Sequence, residues 1–215
     1  MNYTIDRGMR IGSIRVIQPV LEKWQRLNEE KSWFKNEDAP WWYNERATLS
    51  VFAGAVWQCK GWVFEEFSAT KAARSARGKV NYKNGRCDIQ FSISESEFIA
   101  EAKQCWPVLG GSMQNARHIV EANIAQANKE VMQLPEWGYR RLGITFVAPQ
   151  IHISKQEGIN AYLQAFIAEL LTIKNTTVAW VFPEAARGLR PLSEENTYRD
   201  YIFPGVAVLL SPVKA

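Results

Sequence analysis

Apolar residues recur at helical spacing in SIRVIQPVLEKWQRLNEEK (13–31), at Ile14, Ile17, Leu21, Trp24 and Leu27. That period predicts an N-terminal helix whose start Pro19 delays or kinks. The stretch SWFKNEDAPWWYNE (32–45) mixes charges with a proline and three tryptophans and reads as an ordered linker pinning this helix to the main body. A second helix is predicted after Asn44, a good N-cap, through ERATLSVFAGAVWQ, with Gly61 ending it. Strands are predicted in WVFEEFSAT (62–70), GRCDIQFSI (85–93) and EFIAEAKQ (97–104), the last two joined by the short polar turn SES. A helix over 112–134, a strand in RRLGITFVAP (140–149), a helix in GINAYLQAFIAELLTIK (158–174) and strands in TTVAWVFP (176–183) and FPGVAVLLS (203–211) complete the chain. Helix, three strands, helix and strand, with further elements after them, place the chain in the α/β class, with a mixed sheet between helices.

The alternation in the second and third strands carries more than a fold class. Laid antiparallel, Ile89, Phe91 and Ile93 share a face with Phe98, Ala100 and Ala102, while Asp88, Glu101 and Lys103 gather on the other. Two registers preserve this division. One pairs Asp88 with Lys103, the other Asp88 with Glu101, and a slip of one residue would mix the faces. In either register the three charged groups lie within the roughly 5–8 Å of direct and diagonal cross-strand neighbours. The letters E-x-K mean little alone, since Glu29 and Lys31 repeat them in a predicted helix, where residues two apart point in different directions. Glu45 lies in line with Leu49, Phe52 and Val56 on the helix stripe that faces the sheet. A solvated ion-pair cluster, and a helix N-terminus that favours an acid, would leave these same residue types.

Charge adds a second feature. The chain of 215 residues is 47% hydrophobic, enough for one sizeable core, and its net charge of +4 permits a polyanionic partner without requiring one. Between Thr70 and Arg86, however, Lys71, Arg74, Arg77, Lys79, Lys83 and Arg86 stand without an intervening acid and lead straight to Asp88. Such a run reads either as an approach for phosphate or as a solvated basic loop. Three dispersed cysteines without a C-x-x-C pair speak against a disulfide framework and a structural zinc site. With no signal-peptide core at the N-terminus and no apolar stretch of membrane-spanning length, a soluble protein of the reducing cytoplasm is expected. Neither His118 nor His152 sits in a ligand or nucleophile motif, and Trp41 and Trp42 read as core more readily than as base-stacking residues.

Asp88 in GRCDIQF, followed by Glu101 and Lys103 in FIAEAKQ, resembles the PD-(D/E)XK nuclease superfamily. The predicted order of elements over 44–148 looks like its restriction-endonuclease-like core, αβββαβ. The proline that names the motif is replaced by Cys87, at the loosest part of the family pattern. The resemblance implies a core over 44–148 within a nuclease-like domain of 41–215, preceded by a helical extension and linker over 1–40. It implies that Asp88 and Glu101 bind Mg2+ or Mn2+, that Glu45 reaches the ion directly or through water, and that Lys103 orients the attacking water and offsets charge on the phosphate. Arg74, Arg77, Lys79, Lys83 and Arg86 are the expected nucleic-acid contacts. The expected activity is metal-dependent hydrolysis of DNA, with a homodimer compatible because cutting both strands commonly uses two sites. A nuclease-like protein without turnover, binding nucleic acid or a protein partner, is the alternative, and a metal-free α/β binding protein the third reading.

Overall fold

The computed structural model describes residues 4–35, 37–74, 80–135, 137–190 and 200–213. Within them a seven-stranded sheet runs in the spatial order β1 (Arg7–Arg10), β8 (Thr177–Val181), β10 (Val206–Val213), β6 (Arg140–Val147), β4 (Ser96–Cys105), β3 (Val80–Ile93), β2 (Val63–Arg74). β4 and β6 are parallel, joined through α4 (Met113–Val131), and the other neighbours are antiparallel. The chain is thus a mixed α/β protein with helices on both faces of its sheet.

Alternation along the central strands divides the core in two. Phe98, Ala100 and Ala102 of β4, Leu142, Ile144 and Phe146 of β6, and Val206, Val208 and Leu210 of β10 pack with α1 (Gln18–Asn28) and α3 (Glu45–Gln58). Val147, Val178, Trp180, Ala207 and Leu209 point the other way, to α4 and α5 (Ile159–Thr172). Phe52 fixes α3 on the sheet, edge-on to Phe91 at 5.6 Å and to Phe146 at 6.4 Å, while Phe91 stacks on Phe98 at 5.0 Å. Burying each such ring stabilises the fold by roughly 1.5–3 kcal/mol.

The first predicted helix opens as a 3-10 turn at Arg15–Ile17 and becomes α1 at Gln18, so Pro19 falls in the first turn, where its missing N–H costs nothing. The linker contains the short α2 (Lys31–Lys35) and a 3-10 turn, and buries Trp41, whose Nε1 donates to the Phe203 carbonyl at 3.1 Å. α3 starts as expected, the Asn44 side chain accepting from the Ala47 amide at 3.1 Å. Residues assigned to the extension share the main body's core: Ile14, Ile17, Leu21 and Trp24 are buried in it, and β1 is an edge strand of the sheet. Four strands were not expected: β1, and β5 (Val108–Leu109), β7 (Gln150–His152) and β9 (Tyr201–Ile202) of a small second sheet. Among the described residues no helix is long and apolar enough to cross a membrane.

A candidate metal and phosphate site where the sheet forks

The β3–β4 ladder is short, running only from Ile93↔Ser96 to Ile89↔Ala100. Of the two registers compatible with the sequence, it is the one that sets Asp88 against Glu101. Beyond Ala100, β4 continues beside β6 while β3 turns away with β2, and the sheet forks at Asp88. There the carboxylate replaces a ladder bond: Asp88 Oδ2 accepts from the Ala102 amide at 2.8 Å. The other neighbour is also irregular. Glu66, which stands opposite Asp88 between the pairs Glu65↔Ile89 and Phe67↔Cys87, leaves the ladder with φ at 53°. A positive φ at a non-glycine residue is uncommon and gathers at functional sites.

Glu101 and Lys103 follow on β4, on the face covered by α4. Glu101 is 1% exposed. Its Oε2 accepts from Lys71 Nζ at 2.7 Å, while its Oε1 is buried without a partner among the described residues. Desolvation, and then the charge of Asp88, push its pKa up to about 7 against the pull of Lys71 and Lys103. The side chain stands beside Gly143 of β6, its partner across the parallel ladder. A Cβ on Gly143 would lie 2.2 Å from Asn128 Oδ1, so this glycine lets α4 close onto the site. Asn128 Oδ1 is, among the described residues, a second buried oxygen here without a partner.

Lys103 Nζ lies 2.8 Å from Glu130 of α4 and donates to the Ala102 carbonyl at 2.7 Å. Desolvation opposes its charge, yet Glu130, Glu45 and Asp88 outweigh that and hold its pKa above the ordinary lysine value. Burial likewise acts to raise Glu130, but the hydrogen bonds from Lys103 and Gln126 prevail and keep its pKa low. Glu45, in the first turn of α3, is half-buried beside this pair. Desolvation takes its pKa to about 7; Lys103 lowers it, Asp88 and Glu130 raise it, and a backbone hydrogen bond from Gln104 lowers it. The four expected site residues therefore form one electrostatic cluster. Gln104 itself turns away, its Nε2 donating to the Trp41 carbonyl at 3.1 Å.

The strands predicted on either side of the basic run extend into it. The part described is a two-stranded ribbon rather than a loop, with Phe67–Arg74 of β2 paired to Val80–Cys87 of β3 and tied to the main body by a bond from the Ala72 amide to the Gln133 carbonyl. Arg77 and Lys79 lie outside the described residues, and for Arg74 only its backbone, in β2, is described. Lys83 is exposed, with no acidic partner among the described residues. Arg86 is paired with Glu66 at 3.0 Å, and Lys71 with Glu101, so these two charges are opposed after all. Sequence reasoning placed Lys71 in the basic run without foreseeing its contact with Glu101, and gave Glu130 no role.

The donor chemistry fits a hard divalent cation. Asp88 and Glu101 are carboxylates near enough for the charge of Asp88 to disfavour ionisation of Glu101, Glu101 Oε1 is buried without a partner among the described residues, and Glu45 belongs to the same electrostatic cluster. Among the described residues no three His, Cys, Asp or Glu side chains converge as a ready cage. Magnesium needs none, being commonly held by one or two carboxylates, waters and substrate phosphates. Comparison of the chain with protein-family models, with curated proteins and with solved structures gives no match.

Proposed function

We propose that the chain is a metal-dependent nuclease that hydrolyses DNA phosphodiester bonds on a restriction-endonuclease-like core. The observation that carries this reading is the fork itself: β3 and β4 separate where Asp88, Glu101 and Lys103 stand, and a buried carboxylate there keeps one oxygen without a partner among the described residues. Burying that oxygen without a hydrogen-bond partner is costly, and a cation bound to it would offset the cost. The order α3, β2, β3, β4, α4, β6 over 45–147, interrupted only by the two-residue β5 of the second sheet, with β4 and β6 parallel, supports the same reading.

Asp88, Glu101 and Glu45 would hold Mg2+ or Mn2+, which when bound polarises a phosphate oxygen and lowers the pKa of a coordinated water. Lys103, kept protonated by its acidic neighbours, orients the attacking water and offsets charge on the phosphate. Asp88, held by the Ala102 amide, is fixed in place before substrate arrives. Lys83 and the rest of the ribbon supply the positive surface along which the backbone is drawn in.

One observation favours a second reading, a nuclease-like protein that binds nucleic acid or a protein without turnover. Both site cations are already paired, Lys71 with Glu101 and Lys103 with Glu130. Incubation with linear, circular, single-stranded and branched DNA, with Mg2+, Mn2+ or chelator, decides between them. Products that require the metal are expected on at least one form; none on any form refutes the nuclease.

A further inference from the structure

Lys71 reaches the site by a built route. It stands on β2 directly opposite Lys83 of β3, a like-charged cross-strand pair that costs stability unless an anion neutralises it. Its stem lies over Gly85, where a Cβ would come within 3.1 Å of Lys71 Cδ and 3.2 Å of Cγ, so a larger residue would crowd the path. The ammonium ends 2.7 Å from Glu101 Oε2, its side chain 13% exposed and that of Glu101 1%. The charge that would otherwise face Lys83 is thus spent on the most buried carboxylate of the candidate site.

We infer that Lys71 is an exchangeable counter-ion of Glu101, filling the place of a divalent cation in the metal-free protein and leaving it when the metal binds. This rests on the reading of Asp88 and Glu101 as metal ligands. A divalent ion on these carboxylates repels an ammonium bonded to one of them, so lysine and metal compete for Glu101. Metal affinity is then set by the ribbon as well as by the acids, through a side chain that the ligand motif does not include. Released from Glu101, Lys71 rejoins Lys83 and needs a new anion, which a backbone phosphate supplies.

The test is titration of Mn2+ into the DNA-free protein, with free ion followed by electron paramagnetic resonance. Lys71→Met is expected to bind Mn2+ roughly tenfold more tightly than wild type, and Glu101→Gln to remove binding in either background. Lys71→Gln, which keeps a hydrogen-bond donor for Glu101 without the charge, gives the same shift and serves if the methionine variant unfolds. Affinity equal to or weaker than wild type in a folded Lys71 variant overturns the inference, as does absence of Mn2+ binding in all proteins. Tighter binding without cleavage of any DNA leaves Lys71's role standing and refutes the nuclease; unchanged binding with metal-dependent cleavage does the reverse.

Discussion

Glu45 and Glu101 are the two acids of the cluster that burial makes reluctant to ionise. Each carries a pKa raised from 4.5 to about 7. Between those values the folded protein binds more protons than the unfolded chain, so stability falls as pH rises; their contribution is complete below 4.5 and lost once pH passes 7. Glu45→Gln removes one of these charges. Its melting temperature should exceed that of wild type by several degrees at mildly alkaline pH, about 2–4 °C for each kcal/mol in a chain of this size. The gap should close toward pH 4.5, and thermal melts across that range that show a constant difference would contradict the assignment. Glu45 was legible because a helical stripe locates it. Lys71 and Glu130 were not, because their contacts depend on how the ribbon and α4 lie against β4, which no local spacing encodes.

For the β3–β4 hairpin, apolar alternation settled the faces but left two registers, since both bury Ile89, Phe91 and Ile93 with Phe98, Ala100 and Ala102. The deciding feature is a two-residue turn at Ser94 and Glu95, with Ser94 in the left-handed region at φ 53°. Asn-Gly would have announced such a turn, whereas Ser-Glu does not. The strands were predicted to stop short of the basic segment for a similar reason: lysine, asparagine and glycine are poor strand formers, and only pairing along Phe67–Arg74 and Val80–Cys87 makes them extended. Lys83 is the ribbon residue best placed to test its role. Lys83→Ala should weaken binding to DNA of every sequence alike and lower the slope of log affinity against log salt by about one. A loss confined to one sequence, or an unchanged slope in anisotropy titrations, would remove the ribbon from the phosphate contacts.

Beyond the hairpin pair of β3 and β4, strands could be argued from period alone only where they are apolar. β2, β6, β8 and β10 were found that way. β1, with sequence RGMR, lacks that pattern; it is a strand because it pairs with β8, and Gly8 is needed there because a Cβ would sit 2.3 Å from the Trp180 ring. The two- and three-residue strands of the second sheet are too short to carry a period. The same lesson applies to α1, whose Trp24 is fully buried against the main core. Trp24→Ala should cost roughly 3–5 kcal/mol in denaturant unfolding, whereas a loss below 1 kcal/mol would mean that the N-terminal residues pack only peripherally.

Cleavage and binding by Lys103→Ala, measured side by side with wild type on whichever DNA form wild type cuts, put the fork to its most direct test. With Mg2+ the variant should lose at least about a hundredfold in rate, the size of effect expected for a group that activates water or stabilises developing charge. Its affinity for the same DNA, measured in chelator, should stay near that of wild type. Cleavage at the wild-type rate by Lys103→Ala would contradict the placement of catalysis at Asp88, Glu101 and Lys103.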